Sequence, residues 1–270
     1  MALSMCKKDK IQGRKLTMKL IISNSVEKLN NHCSEIIAGM IQTNPELKLG
    51  LATGKTPIGI YRSLVSLFKN GKINFNDVTT FNLDENLGIS KDDPRSFSSF
   101  MKKHLFDHIN LKNENINIPN GGAKDPQDEC KRYDKILVQA GSIDVQILGV
   151  GLNGHIGYNE PNKNLSSYTH IETLAEVTRK ASSRIFSTLE ETPVQGITMG
   201  VSSISQSKMI ICMALGKEKA QIMKKVLEGP ITTQCPASLL QSHPNCLFFL
   251  DEDAASLLDL KKIFFDIQYL

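Results

Sequence analysis

The sequence has no apolar run approaching the roughly 20 residues that a bilayer-spanning helix requires, so a membrane protein is not expected. Its six cysteines, Cys6, Cys33, Cys130, Cys212, Cys235 and Cys246, include no CxxC pair, and several sit inside apolar stretches such as MIICMAL around Cys212. Buried, reduced thiols are expected, not a disulfide framework. No three residues carry the spacing of metal ligands, so no metal site is expected. The GxxxxGK[ST] spacing of the phosphate loop of nucleotide-hydrolysing enzymes is missing. The lysines are dispersed and the net charge is only +4. Nucleic acid is therefore not the expected partner, although a mild excess of positive charge suits small anions. No linker, repeat or low-complexity segment divides the chain. The first 17 residues are polar and basic without the apolar core of a secretory leader. They read as a tail, the organised sequence begins near Met18, and the cytoplasm is the expected compartment.

What is present is ordinary for a globular fold: 270 residues, 40% apolar and 22% charged. Short apolar runs alternate with helical patterns. Residues 16–22, 48–53, 78–83, 144–151, 209–215 and 246–250 read as strands. Helices are expected from Ser25, as cap, to about Gln42, from Pro57 to about Lys69, and from Ser96 to His108. Further helices are expected over 125–140, near 194–206 and over 217–228. Residues 158–187 give few signals, with HIETL as a candidate strand, and such a length suggests a functional excursion. The β-then-α rhythm predicts a single Rossmann-like α/β domain over 18–270, doubly wound, with a mostly parallel central sheet and helices on both faces.

Ligands of such folds bind beyond the carboxyl ends of the strands, and three polar clusters lie there. Thr53-Gly54-Lys55-Thr56-Pro57 follows a strand and opens a helix, where free N–H groups and the helix dipole favour a phosphate. Asp84-Glu85 closes the third strand, and a carboxylate there can serve as a positioned base. The third cluster, Gly149-Val150-Gly151-Leu152-Asn153-Gly154-His155-Ile156-Gly157-Tyr158-Asn159-Glu160-Pro161, sets one histidine between an amide and a carboxylate in a glycine-dense loop. Histidine titrates near neutral pH and suits proton transfer, with its neighbours fixing the tautomer.

Together, LGLATGKTPIGIY, TFNLDENLG followed by SFSSFM, VGLNGHIGYNEP, and PASLLQSHPN followed by DEDAA resemble the glucosamine-6-phosphate deaminase (isomerase) family, from about Met18 to about Leu258. The resemblance implies deamination of an amino-sugar phosphate with no cofactor. Asp84 matches the base that moves a proton between C2 and C1. His155 matches the ring-opening group and Glu160 the carboxylate assisting it. Asn153 stands where part of the family has Asp, so its help must come through hydrogen bonding. Thr53, Gly54, Lys55 and Thr56 match the phosphate loop, Lys55 replacing a small residue. Arg184 and Lys219 match basic phosphate ligands. His170 and Glu172 fall where an allosteric branch carries basic residues, and a carboxylate there opposes activation by N-acetylglucosamine 6-phosphate. Homo-oligomer formation stays open. So does the galactosamine epimer as substrate, since the residue that reads C4 cannot be named. 6-Phosphogluconolactonases share a similar GxxGH element but follow its histidine with a segment resembling SLFP, not YNEP. A sugar-phosphate sensor would need neither Asp84, His155 nor Glu160.

Overall fold

The computed structural model describes residues 18–263 and 266–270. The expected N-terminal tail lies outside them. In chain order the elements are β1 (Lys19–Ser23), α1 (Val26–Thr43), β2 (Lys48–Leu51), α2 (Ile58–Lys69), β3 (Thr79–Asn82), β4 (Asp84–Asn86), α3 (Phe97–His104), β5 (Ile116–Asn117), α4 (Pro126–Ala140) and β6 (Val145–Gly149). Then come β7 (His170–Thr173), α5 (Glu176–Phe186), β8 (Gln195–Thr198), α6 (Val201–Ser205), β9 (Ile210–Ala214), α7 (Ala220–Glu228), β10 (Cys246–Asp251), α8 (Glu252–Ala255) and β11 (Asp266–Tyr269).

Eight strands form one parallel sheet in the order β11-β1-β10-β9-β6-β2-β3-β5, flanked by helices. The central strand β9, IICMA, is apolar and buried at every residue, as expected when both faces of a sheet are covered. Ser25 caps α1 as the sequence predicts, its hydroxyl accepting from Lys28 N–H at 3.3 Å. The α1 residues Leu29, Cys33, Ile37 and Ile41, four apart, are buried. Asp125 caps α4 by accepting from Gln127 and Asp128. The five described cysteines are free and buried, as the sequence suggests.

Three expectations need correction. Residues 194–206 are not one helix. Val194, Ile197, Val201 and Ile204 do have helical spacing, yet Gln195–Thr198 pairs as β8 between β4 and β7 in a separate antiparallel sheet. Gly200 then starts the short α6. The helix expected over 96–108 stops at His104, because Leu105 leaves helical geometry before a 3-10 turn at Phe106–His108. In the quiet stretch 158–187 the candidate strand HIETL forms as β7, and the unforeseen element is the helix α5. The edge strand β11, which pairs with β1, gave no sequence signal.

Two buried tyrosines fix the strand ends that lead into the polar clusters. The Tyr61 hydroxyl, on α2, accepts from Ala52 N–H at 3.2 Å and donates to the Ala52 carbonyl, immediately before Thr53. The Tyr133 hydroxyl, on α4, donates to the Asn82 carbonyl at 2.6 Å, two residues before Asp84, and contacts the Asn117 carbonyl at 3.2 Å. Phenylalanine keeps the ring but strands these backbone groups away from water. Tyr61→Phe and Tyr133→Phe are each expected to cost about 1–3 kcal/mol, read as a lower urea midpoint. Midpoints equal to wild type would remove the tyrosines from this role.

Candidate active site

From β2 the chain moves outward through β3 to β5. It then returns to place β6 on the other side of β2 and proceeds through β9 to β10. The strand order reverses between β2 and β6, and the crevice beyond their carboxyl ends is where such folds hold ligands. The loops after the adjacent strands β3, β2, β6 and β9 carry Asp84, residues 53–56, residues 150–161 and Lys219. All three sequence clusters therefore converge at one end of the sheet.

In the loop after β2, Gly54 has φ of 114°, and a Cβ there would meet nothing within 4 Å. Backbone angle, not crowding, requires glycine there. Lys55 is exposed and Thr53 and Thr56 are half-buried. The first turn of α2 has no acidic residue and no side-chain cap, which leaves its N–H groups available to an anion. Across the crevice the Lys219 ammonium donates to the Val150 carbonyl at 2.6 Å. Burial pulls its pKa down, against the opposing charge of Glu218 and Cys212. Arg184 lies on α5, and its side chain is outside what the structure describes.

Asp84 is buried where the chain leaves the main sheet for the small one. Leu83 N–H donates to the Leu51 carbonyl at 3.1 Å, and the Leu83 carbonyl accepts from Met199 N–H at 2.7 Å. The residue before Asp84 is thereby tied to β2 and to the end of β8. Burial, aided by the charge of Glu85, pushes the Asp84 carboxyl up to about 8. No described group donates a hydrogen bond to it. Strand alternation separates Glu85 from it. The Glu85 carboxylate accepts from Asn86, Phe97 and Ser98 N–H groups at 2.8–3.0 Å. Burial still raises the Glu85 carboxyl to about 7, those bonds opposing. Glu85 thus caps α3, and Asp84 is the chemically available member of the pair.

The loop after β6 is bolted to the small sheet beside Asp84. Tyr158 N–H donates to Thr198 Oγ1 at 3.1 Å and its hydroxyl to Asn86 Oδ1 at 2.9 Å. Asn159 Nδ2 donates to the Ile156 and Met199 carbonyls at 3.0 and 2.9 Å. A Cβ on Gly157 would lie 3.4 Å from Asp84 Oδ2, so this loop passes directly over the carboxyl group.

Within the loop, His155 Nδ1 lies 3.4 Å from Glu160 Oε2. Asn153 Oδ1 accepts from His155 N–H at 3.2 Å, which turns Nδ2 to donate to Glu160 Oε2 at 2.6 Å. The amide therefore does what an ionised Asp could not: it donates to the carboxylate. Glu160 Oε1 accepts from Ala175 N–H at 3.2 Å. Burial alone would raise the Glu160 pKa. The His155 ring beside it, with the Thr178 and Asn153 side chains, holds it at about 2. Thr178 and the Ala175 N–H were missed by sequence reasoning. They arrive from α5, 23 and 15 residues along the chain, with no local signal. Among the described residues no group of three or more His, Cys, Asp and Glu side chains could hold a metal ion.

The sequence profile of the glucosamine-6-phosphate isomerase/6-phosphogluconolactonase family matches residues 23–248. The chain is 46% identical to a glucosamine-6-phosphate deaminase of Thermoanaerobacter pseudethanolicus over 249 residues, 91% of this chain and 98% of that one. It is 44% identical to a glucosamine-6-phosphate deaminase of Clostridium botulinum over 244 residues, 90% of this chain and all of that one. A solved structure of a monomeric glucosamine-6-phosphate deaminase superposes with a TM-score of 0.87 at 42% identity, covering 89% of this chain and 100% of that one.

Two outcomes follow from this geometry. A Cβ on Gly151 would sit 2.2–2.5 Å from the His155 ring. Gly151→Ala is expected to displace the imidazole and lower turnover at least tenfold while the far-ultraviolet circular dichroism stays native; undiminished turnover would contradict the packing. For Asp84, the folded value of about 8 exceeds the ordinary 3.8. Its neutral form therefore supports folding fully below pH 3.8, and that support is lost as pH rises through 8. Asp84→Asn should gain in Tm relative to wild type from about pH 4 to about pH 8, at up to about 1.4 kcal/mol per pH unit. A pH-independent difference in Tm would count against the buried, protonated carboxyl.

Proposed function

Because the chain belongs to the glucosamine-6-phosphate isomerase/6-phosphogluconolactonase family, we propose that it converts glucosamine 6-phosphate and water to fructose 6-phosphate and ammonium. The observation that carries this reading is the meeting, at one crevice, of a buried carboxyl, a histidine–carboxylate couple and an anion-ready helix start. The 44–46% identity to deaminases over nearly their whole length supports it.

On this reading the phosphate rests on the N–H groups of residues 53–56, with Lys219 and Arg184 supplying positive charge. Fixing that end orients the reacting carbons. His155, poised by Glu160 and Asn153, moves the ring proton and opens the pyranose to the aldehyde. Asp84 takes the C2 proton and returns it at C1 through an enol-type intermediate. The C2 iminium is hydrolysed by water, and nitrogen leaves as ammonium. Every step is a proton transfer or a hydrolysis, with no net change in redox state, so the sequence of steps calls for no cofactor.

A protonated Asp84 is the wrong form for a base, and the substrate supplies the remedy. Its C2 ammonium brings a positive charge towards the buried carboxyl, which favours ionisation. The acid limb of kcat/KM, which reports the free enzyme, is then expected near the Asp84 value of about 8, and that of kcat at lower pH. The reading places the chain in amino-sugar breakdown, and its buried free cysteines suit a reducing compartment such as the cytoplasm.

The test is fructose 6-phosphate and ammonium release from glucosamine 6-phosphate, beside galactosamine 6-phosphate and 6-phosphogluconolactone. Turnover of the first, lost by at least 10²-fold in Asp84→Asn, is the expected result. Turnover of only the lactone would overturn the reaction, and turnover of only the galactosamine compound would correct the substrate. His170 Nε2 and Glu172 Oε2, 3.3 Å apart, engage each other on β7. Accordingly, N-acetylglucosamine 6-phosphate should leave the rate at sub-saturating substrate unchanged.

A further inference from the structure

The couple between His155 and Glu160 is loose when measured directly. At 3.4 Å the two atoms lie beyond the usual 2.7–3.2 Å of an N–H···O hydrogen bond. A third group closes the gap: Thr178 Oγ1 is 3.1 Å from the same His155 Nδ1 that faces the Glu160 carboxylate. A hydroxyl has one donor and two acceptor sites. Ionised Glu160 can only accept, so a ring nitrogen facing it at 3.4 Å favours carrying a proton, and a Thr178 lone pair at 3.1 Å takes the hydrogen bond from that N–H. That arrangement demands a proton on Nδ1. The opposite ring nitrogen of a neutral imidazole is then the one left free to accept a proton.

The surroundings make this contact rigid. Thr178 is 4% exposed and Glu160 4%. Thr178 stands in the first turn of α5, and the residue before that helix, Ala175, donates its N–H to the other Glu160 oxygen. Farther along α5, Arg179 donates to the Leu189 and Thr192 carbonyls at 2.7 and 3.1 Å. The Arg95 guanidinium lies over the Phe186 ring at 5.4 Å from its centroid. The helix is therefore held along its length while the residue before it binds Glu160 Oε1.

We propose that Thr178 is a positioning residue of the reaction, its hydroxyl accepting from His155 Nδ1 beside Glu160 so that the imidazole holds its proton on Nδ1 and presents a basic Nε2 to the substrate. The proposal rests on the deaminase reading for its kinetic effect but not for the tautomer. It also gives α5 a function: the loop after β6 carries the acid–base group, and α5 supplies the piece that sets its protonation pattern. A neutral hydroxyl does this without adding a second negative charge beside Glu160.

The test compares Thr178→Val, which keeps the shape and removes the hydroxyl, with Thr178→Ser, which keeps the hydroxyl. Thr178→Ala is the second hydroxyl-free variant should valine disturb folding. The expected result is a fall in kcat of about 10- to 100-fold in valine and alanine, the worth of one hydrogen bond to a charged group. KM for glucosamine 6-phosphate should stay within about twofold, and serine should recover kcat to within about threefold of wild type. In 15N spectra of histidine-labelled protein, with the His155 signal assigned through His155→Gln, the neutral ring of wild type and serine should be Nδ1-protonated. The valine and alanine variants should show a mixture of tautomers. Wild-type kcat and an unchanged tautomer in both hydroxyl-free variants would overturn the proposal. So would a loss of kcat in serine equal to that in valine. If wild type turned over no amino-sugar phosphate, the deaminase reading would fall, while the nitrogen spectra would still decide the tautomer.

Discussion

The reversal of strand order between β2 and β6 is the constraint on which the site depends. Parallel strands expose their loops at a common end, and only at the reversal do the loops diverge to leave a crevice. The sheet places the loops after β2, β3, β6 and β9 side by side at that end. Segments separated by more than 160 residues along the chain can then act on one small molecule. The tyrosines at 61 and 133 serve the same end from the helix layer, holding the backbone just before the anion loop and just before Asp84. Helix packing is thereby transmitted to the reacting groups through backbone hydrogen bonds, which are short and directional.

Two carboxyl groups in this crevice are driven in opposite directions. Glu160, buried but supplied with donors, is held at about 2. Asp84, buried without them, rises to about 8. Pushing paired groups apart in this way lets one fold run acid and base chemistry together. On the proposed reading, Glu160 is the fixed negative charge that orders the histidine, and Asp84 is the group whose proton moves. Asn153 fits this division, since its amide donates to Glu160 without adding a charge of its own. The third carboxyl, Glu85, is withdrawn from the chemistry by the start of α3, which takes up both its oxygens.

Much of this was legible in the sequence. Strand–helix alternation, the Ser25 cap, the Pro57 helix start and the motif residues Asp84, His155 and Glu160 were all readable, because each is written within a few neighbouring positions. Periodicity, capping and glycine-dense loops are local properties, and local properties survive in a single chain read end to end. The errors lay where partners decide. Residues 194–206 have the spacing of a helix, but two strands were available to pair with Gln195–Thr198. A ladder of backbone bonds to two neighbours outweighs a weak helical preference in a segment that contains Gly196 and Gly200.

Apart from the family resemblance, the residues read alone could not assign work to the individual members of their own clusters. Asp84 and Glu85 are adjacent carboxylates, indistinguishable in a string of letters. Strand alternation and the position of α3 make one a cap and leave the other available. Asn153 was expected to help through hydrogen bonding, and the fold shows how: Nδ2 donates to Glu160 while Oδ1 accepts from the His155 backbone N–H. Thr178 carried no signal, since its partner is 23 residues away on another element. The sequence by itself determined the strand–helix order and the chemistry available at the strand ends, because these depend on near neighbours. The tertiary structure decided which carboxyl is protonated, which is charged and which hydroxyl completes the histidine couple. Burial and hydrogen-bond geometry exist only once distant segments meet.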